Sequence, residues 1–286
     1  MKRTLAGIVA ALAVALGSTL GPSAAPVAAA TAAPTALVAA AAALPVTTTT
    51  VTVKIDGRSF SARLVQPSGS APRTYPVIAF GHGFLQSTAQ YAGTLNSIAS
   101  RGYVVIAPNS EGGFAPDHAR FADDLWRSLR WVRSTQPNAS LTLDAVAGHS
   151  MGGGAAVVAA DRYPDIDSIA TLAAAQTTPS ATAAAAGIAV GALFVVGSAD
   201  TVVAPATTRG IYNAKPSPAT FATITGGYHC GFIESTAFLG VGCDRGSISR
   251  SAQLSITRGL LGAWFDRAFK GAPVPPVPSG VVVERK

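Results

Sequence analysis

Ser150 lies in the run Gly148-His149-Ser150-Met151-Gly152, extended by Gly153 and Gly154 and preceded by the apolar segment Leu143 to Ala147. A serine flanked this way fits G-x-S-x-G, the pattern of a nucleophile held on a sharp strand-to-helix turn. Glycines two residues before and after remove the Cβ atoms that would block so tight an approach of backbone on backbone. The bare pattern recurs by chance. Its position between an apolar run and a helical segment gives it weight. A serine hydroxyl is weakly nucleophilic at neutral pH and needs a positioned base, and the sequence offers four histidines. His229, in Gly226-Gly227-Tyr228-His229-Cys230, follows the last apolar run, where a loop can return its imidazole to the serine. His149 adjoins the nucleophile, but a sharp turn sends neighbouring side chains in different directions, so it is expected to line the pocket or support the base. His82 sits in a separate glycine loop, and His118 starts a helix as a surface or capping residue.

The chain order serine, acid, histidine confines the orienting carboxylate to residues 151 to 228. Asp200, in Gly197-Ser198-Ala199-Asp200-Thr201, stands just past the apolar run Ala192 to Val196, and strand C-terminal ends are where sites collect in open α/β sheets. Asp161, Asp165 and Asp167 fall in the same interval but precede the run Ile166 to Leu172, which puts them at its opposite end. Acyl transfer also needs two N–H donors aimed at the developing oxyanion. Met151, the residue after the nucleophile, is expected to give one. Phe84 is expected to give the other, from the loop Gly81-His82-Gly83-Phe84 that follows the run Tyr75 to Phe80.

The elements that must position these groups are legible as alternating patterns. Thr47 to Ile55 and Phe60 to Gln66, separated by Asp56-Gly57, read as an antiparallel hairpin. The runs Tyr75 to Phe80, Tyr103 to Pro108, Leu143 to Ala147, Ile166 to Leu172, Ala192 to Val196 and Ala219 to Thr225 are near-continuously apolar, as strands covered on both faces are. Helical segments fall between them, at Thr88 to Ser100, Asp117 to Ser134, Met151 to Arg162 and Ala204 to Tyr212, and a last one runs from Ile248 to Phe269. In the second, Phe121, Leu125, Leu129 and Val132 share one face. A hairpin followed by strand-helix units predicts a mostly parallel central sheet with an antiparallel N-terminal edge and helices on both faces.

Outside that frame, Met1-Lys2-Arg3 and the apolar run Leu5 to Leu16 lead into small residues, the layout of a secretory signal peptide over residues 1–30. The Ala/Pro/Thr tract 31–50 reads as a propeptide or linker and is set outside the fold. The catalytic domain is expected over 51–270, and 271–286, rich in Pro and Gly, as a loosely docked tail. In an exported chain Cys230 and Cys243, the only two cysteines, are expected to pair. A metal pair is disfavoured, since two cysteines cannot complete a tetrahedral site. The net charge of +7 falls to +5 without Lys2 and Arg3. Arg127, Arg130 and Arg133 at helical spacing beside Asp123 and Asp124 read as a solvated helix face, not a nucleic-acid surface.

Together Gly81-His82-Gly83-Phe84, the turn Gly148 to Gly152, Asp200 and His229 resemble the α/β-hydrolase superfamily. The stretches around Ser150, Asp200 and His229 are similar to bacterial cutinases and polyester hydrolases. Phe80 to Phe84 and Ile98 to Asn109 resemble chlorophyllases and platelet-activating-factor acetylhydrolase-like enzymes. The resemblance spans about Pro76 to Lys270. It implies a Ser150, Asp200 and His229 triad with Phe84 and Met151 as oxyanion donors, and it implies no cofactor or metal.

Two features depart from the polyester-degrading pattern: residues 176–180 hold no tryptophan, and the cysteine pair follows the histidine instead of lying at the chain end. Trp126, Trp131 and Trp264 cannot simply substitute for that ring. The expected function is a secreted, monomeric serine carboxylic-ester hydrolase without nucleic-acid partners or stable membrane insertion. Phe84, Leu85, Met151 and Phe232 favour an acyl or aromatic ester. A serine peptidase or amidase on the same triad, or a non-catalytic secreted binding protein on the same fold, are the alternatives.

Overall fold

A computed structural model describes residues 43–69, 74–235 and 243–286. The expected signal peptide and most of the Ala/Pro/Thr tract lie outside the described residues. The chain opens with a hairpin of β1 (Val46–Ile55) and β2 (Arg58–Pro67). Asp56 (φ 48°) and Gly57 (φ 74°) both take the left-handed conformation that a two-residue hairpin turn of matching twist requires. The parallel strands follow: β3 (Tyr75–Gly81), β4 (Val104–Pro108), β5 (Ala139–His149), β6 (Ser168–Leu172), β7 (Gly191–Gly197) and β8 (Ala219–Ile224). With β9 (Val281–Arg285) they form one nine-stranded sheet of order β1-β2-β4-β3-β5-β6-β7-β8-β9. Strands β3 to β8 pair in parallel, while β1, β2 and β9 are antiparallel to their neighbours. This is the α/β-hydrolase arrangement.

Helices cover both faces. On one face α2 (His118–Thr135), α3 (Met151–Arg162), α4 (Ala181–Ala185) and α5 (Pro205–Ala214) bury a core with Phe121, Leu125, Leu129, Val132 and Ile211. On the other, α1 (Ala92–Ala99) and the long α6 (Arg250–Lys270) enclose Leu95, Ile98, Leu261 and Phe265. The periodic face expected of α2 is the buried one, and the Asp117 carboxylate caps the helix by accepting from the Arg120 amide at 2.9 Å. Its arginines are ion-paired: Arg127 with Asp123 and Asp124, Arg130 with Asp56, and Arg133 with Asp144 and Asp165. Residues Met151 to Ala160 of α3 are all buried, which suits a helix of glycine, alanine and valine wedged between sheet and neighbours.

The fold reaches past both borders read from the sequence. The strand expected from Thr47 is β1, Val46–Ile55, so the domain border drawn at residue 51 cuts through it and only the tract up to residue 45 lies ahead of the strand. Nor is 271–286 a loosely docked tail throughout. Behind its prolines Val281–Arg285 is a β-branched run that pairs with β8 from Ile224↔Val281 to Thr220↔Arg285 and closes that edge of the sheet. The pairing is reinforced by mutual bonds between Ala219 and Lys286.

Candidate active site

Strand β5 ends at His149 and α3 begins at Met151, leaving Ser150 alone at the corner. It takes φ 56° and ψ −121°, a backbone conformation that L-residues avoid and that persists only where the surroundings enforce it. The enforcement is backbone on backbone. A Cβ on Gly148 would lie 2.4 Å from the Gly152 carbonyl, and one on Gly152 would lie 2.3 Å from the carbonyl of Gly81 at the end of β3. The Ser150 amide donates to the Leu172 carbonyl at 2.9 Å, and its own carbonyl accepts from Gly154 and Ala175 at 3.0 Å. The same approach of Gly81 to Gly152 sets the loop that carries Phe84 against the start of α3. As the first residue of that helix, Met151 has an amide with no intrahelical acceptor.

On the far side of the sheet's centre, Asp200 follows β7 and His229 follows β8. His229 Nδ1 and Asp200 Oδ2 are 2.8 Å apart. The other oxygen, Oδ1, accepts from the amides of Val202 (3.0 Å) and Val203 (2.8 Å), so the carboxylate is fixed at both ends. Ser150, Asp200 and His229 are 8%, 4% and 5% exposed. The hydrogen bonds of the described residues join His229 to Asp200 but not to the Ser150 hydroxyl. His149 bridges the two sides, its ring 4.5 Å from that of His229. Its Nδ1 lies 2.8 Å from the Tyr91 hydroxyl, which in turn accepts from the Gly83 amide at 2.9 Å. Burial, and secondarily the neighbouring His229, push the His149 imidazole well below its ordinary pKa. It is therefore neutral, Tyr91 donates to Nδ1, and the three groups form a directed chain from the loop after β3 to the residue beside Ser150.

The remaining histidines and acids have structural tasks. His82 is buried, with Nδ1 and Nε2 each 2.9 Å from a carbonyl, those of Gly83 and Ser110. Burial lowers its pKa. His118 is the first residue of α2, and its Nδ1 accepts from the Thr178 amide. Asp165 accepts from the indole of Trp126 and pairs with Arg133, while Asp167 accepts from the Asp144 amide at the start of the β5–β6 pairing. Neither meets His229. Trp126 stacks on Tyr163 and Trp264 donates to Ser168, so neither indole stands by Ser150.

Sequence reading predicts the pairing of Cys230 with Cys243 but misses Asp244 and Gln253, which hold the segment carrying His229. Cys230 and Cys243 are disulfide-bonded. Next to the bridge, Asp244 Oδ2 accepts from the amides of His229 (2.9 Å) and Thr201 (3.0 Å), and Oδ1 accepts from Cys230 (3.0 Å). One carboxylate thus ties the Asp200 loop, His229 and the disulfide together. Gln253 of α6 makes a reciprocal pair with the Tyr228 backbone, at 2.9 and 2.8 Å. Nothing in the spacing marks Asp244; the only sequence clue is its place beside a cysteine. Among the described residues no group of three or more histidine, cysteine or acidic side chains could hold a metal ion, and no helix is long and apolar enough to cross a membrane.

Residues 36–175 match the chlorophyllase family model. Over that stretch the chain is similar to chlorophyllases, an α/β-hydrolase type of esterase. Chlorophyllase-1 of Arabidopsis thaliana is 34% identical over 87 residues, 28% of this chain and 27% of that protein. Chlorophyllase-1, chloroplastic, of Citrus sinensis is 32% identical over 108 residues, 35% of this chain and 32% of that one. The chain thus matches less than a third of the length of either relative. The family match contains the Phe84 loop and Ser150, and ends before Asp200 and His229.

Proposed function

We propose that the chain is a secreted serine carboxylic-ester hydrolase working through Ser150, His229 and Asp200. The observation that carries this reading is the Asp200–His229 hydrogen bond beside a serine held in a strained turn between β5 and α3. His229 Nε2 takes the Ser150 proton as Oγ attacks the ester carbonyl, and Asp200 holds the imidazole with Nδ1–H toward itself. The electron pair displaced from the carbonyl becomes an oxyanion held by the Met151 and Phe84 amides. On collapse, His229 gives its proton to the departing alkoxide. Water then repeats the sequence on the acyl-enzyme and releases the acid. The likeness to chlorophyllases supports an ester over an amide as substrate.

Phe84, at 45% exposure, and the buried Met151 and Phe232 give the approach an apolar character, which supports an acyl or aromatic ester. Ser150→Ala should reduce turnover of a p-nitrophenyl alkanoate by about three orders of magnitude or more while leaving the melting transition in place. Retained turnover in a folded Ser150→Ala protein would refute the assignment.

A further inference from the structure

A cavity of about 430 Å³ opens toward the β9 edge of the sheet, whereas Ser150 follows the central strand β5. Its floor is Gly191 and Leu193 of β7, Ala222 of β8 and Val283 of β9, and its wall is the Leu260, Ala263 and Trp264 side of α6. The segment 272–278 arches over it as a strap. Gly191 is the first residue of β7, Asp200 lies beyond its last, and the lining runs from Gly191 up to Ala222, which is level with Val195.

The strap explains why the space stays open. It is tied at one end by the Ala272 amide on Asp266 O and at the other by the Val281 amide on Pro278 O. Between the ties stand Pro273, Pro275, Pro276 and Pro278. Prolines have no N–H to zip onto a sheet, and consecutive ones hold the chain extended, so the strap spans the space without collapsing into it. Val274 and Val277 also line the cavity, although each remains about half exposed, at 48% and 45%.

The polar lining is one-sided. Along β9, Val281, Val283 and Arg285 share the face toward α6, while Glu284 points the other way and pairs with Arg209 at 2.7 Å. Arg285 and, from α6, Arg267 reach the cavity, and among the described residues neither is within salt-bridge distance of a carboxylate. Of the other charged side chains in the lining, Asp167 is engaged with the Asp144 amide and the Lys286 ammonium with the carbonyls of Tyr212 and Asn213. The Trp264 N–H is taken by Ser168 Oγ at 2.9 Å, so the indole offers its apolar ring. An apolar hollow of this size with a few convergent polar groups is the form of a small-molecule site, and two uncompensated guanidinium groups select an anionic head.

We propose that this cavity binds an unbranched alkanoate, with the apolar chain against Leu193 and Trp264 and the carboxylate met by Arg267 and Arg285. The site stands on its own lining and does not rest on what Ser150 does. The test is Trp264 fluorescence titrated with 10-bromodecanoate below its micelle concentration, since bromine quenches only an indole it touches. Saturable quenching is expected, absent in Trp264→Phe and weakened about tenfold or more in Arg267→Gln/Arg285→Gln, whose side chains are exposed and whose fold should be intact by melting. Turnover of a nitrophenyl ester should be unchanged in the arginine variant. Replacing the probe by 10-bromodecanol should weaken quenching by a similar factor. Absence of saturable quenching, equal affinity for acid and alcohol, no effect of the arginine pair, or quenching that survives Trp264→Phe would each overturn the proposal.

Discussion

Ser150 is held by backbone packed on backbone, whereas around Asp200 and His229 polar side chains and a disulfide are added to such packing. On the serine side, Gly81, Gly148 and Gly152 let three chain segments approach so closely that no Cβ fits between them. On the base side Gly197 meets Gly227 and Gly246 meets Gly226 just as closely, but there Asp244, Gln253 and the Cys230–Cys243 bridge are added to the glycine contacts. The difference is one of means. The strained turn requires a rigid wall, and close-packed glycine supplies one without a side chain to adjust. The base stands on a loop, and a loop must borrow rigidity from cross-links. The family match follows the same division, covering the side of Ser150 and stopping short of the cross-linked one.

The contrast predicts a graded response to mutation. Gly152→Ala would put a Cβ 2.3 Å from the Gly81 carbonyl, in a place where only backbone can move. Overpacking of that kind should destabilise the fold by about 3 kcal/mol or more and abolish ester turnover together with it, read by denaturant titration and assay. Survival of activity at wild-type stability would mean that the turn is not enforced by this contact. On the base side, Cys230→Ser/Cys243→Ser should cost about 3 kcal/mol in the chain-entropy view. There turnover and fluorophosphonate labelling of Ser150 should fall together in the folded fraction, since both draw on His229, and wild-type rates of both would show that the bridge does not hold His229.

Asp244→Asn is milder still. It replaces an oxygen that accepts from backbone amides with a donor, at about 1–3 kcal/mol, and should lower kcat with little change in KM, because the base loses its support while the pocket does not. A change in KM alone would place Asp244 in binding instead.

The smallest expected effect is in the pH response of the bridge between the two sides. His149 has a native pKa well below 6.5, so the unfolded chain binds a proton near that pH which the native state refuses. Its contribution to stability is complete above 6.5 and is lost as pH falls toward the native value. His149→Asn should therefore flatten the decline of unfolding free energy between about pH 7.5 and 5, by some fraction of the roughly 1.4 kcal/mol per pH unit that one proton can set. The decline that remains belongs in part to His82, which is shifted in the same direction. An unchanged slope would show that His149 titrates normally in the native protein.

The same contrast explains what could be read from the sequence. The alternation of apolar runs and periodic helices yields the parallel sheet, its hairpin edge and the buried face of α2, because those follow from the side-chain repeat of each element. Ser150 is legible because a turn that excludes Cβ atoms must be written in glycine. Asp200 and His229 are legible because their places at strand ends follow from the topology. Asp244 is not legible, since a carboxylate accepting from three amides leaves no composition or period, only a fold-dependent coincidence of loops. Tyr91 is hidden for a similar reason: its hydroxyl reaches Gly83 and His149 from a different element. Strand β9 is masked by the prolines ahead of it.

The central claim is that Ser150 is a nucleophile activated by His229. A fluorophosphonate probe followed by intact mass and peptide mapping tests it without presuming a substrate. The account predicts a single adduct on the peptide carrying Ser150, formed slowly if at all in a folded His229→Ala protein. No adduct on the wild-type chain, an adduct elsewhere, or equal labelling without His229 would contradict it.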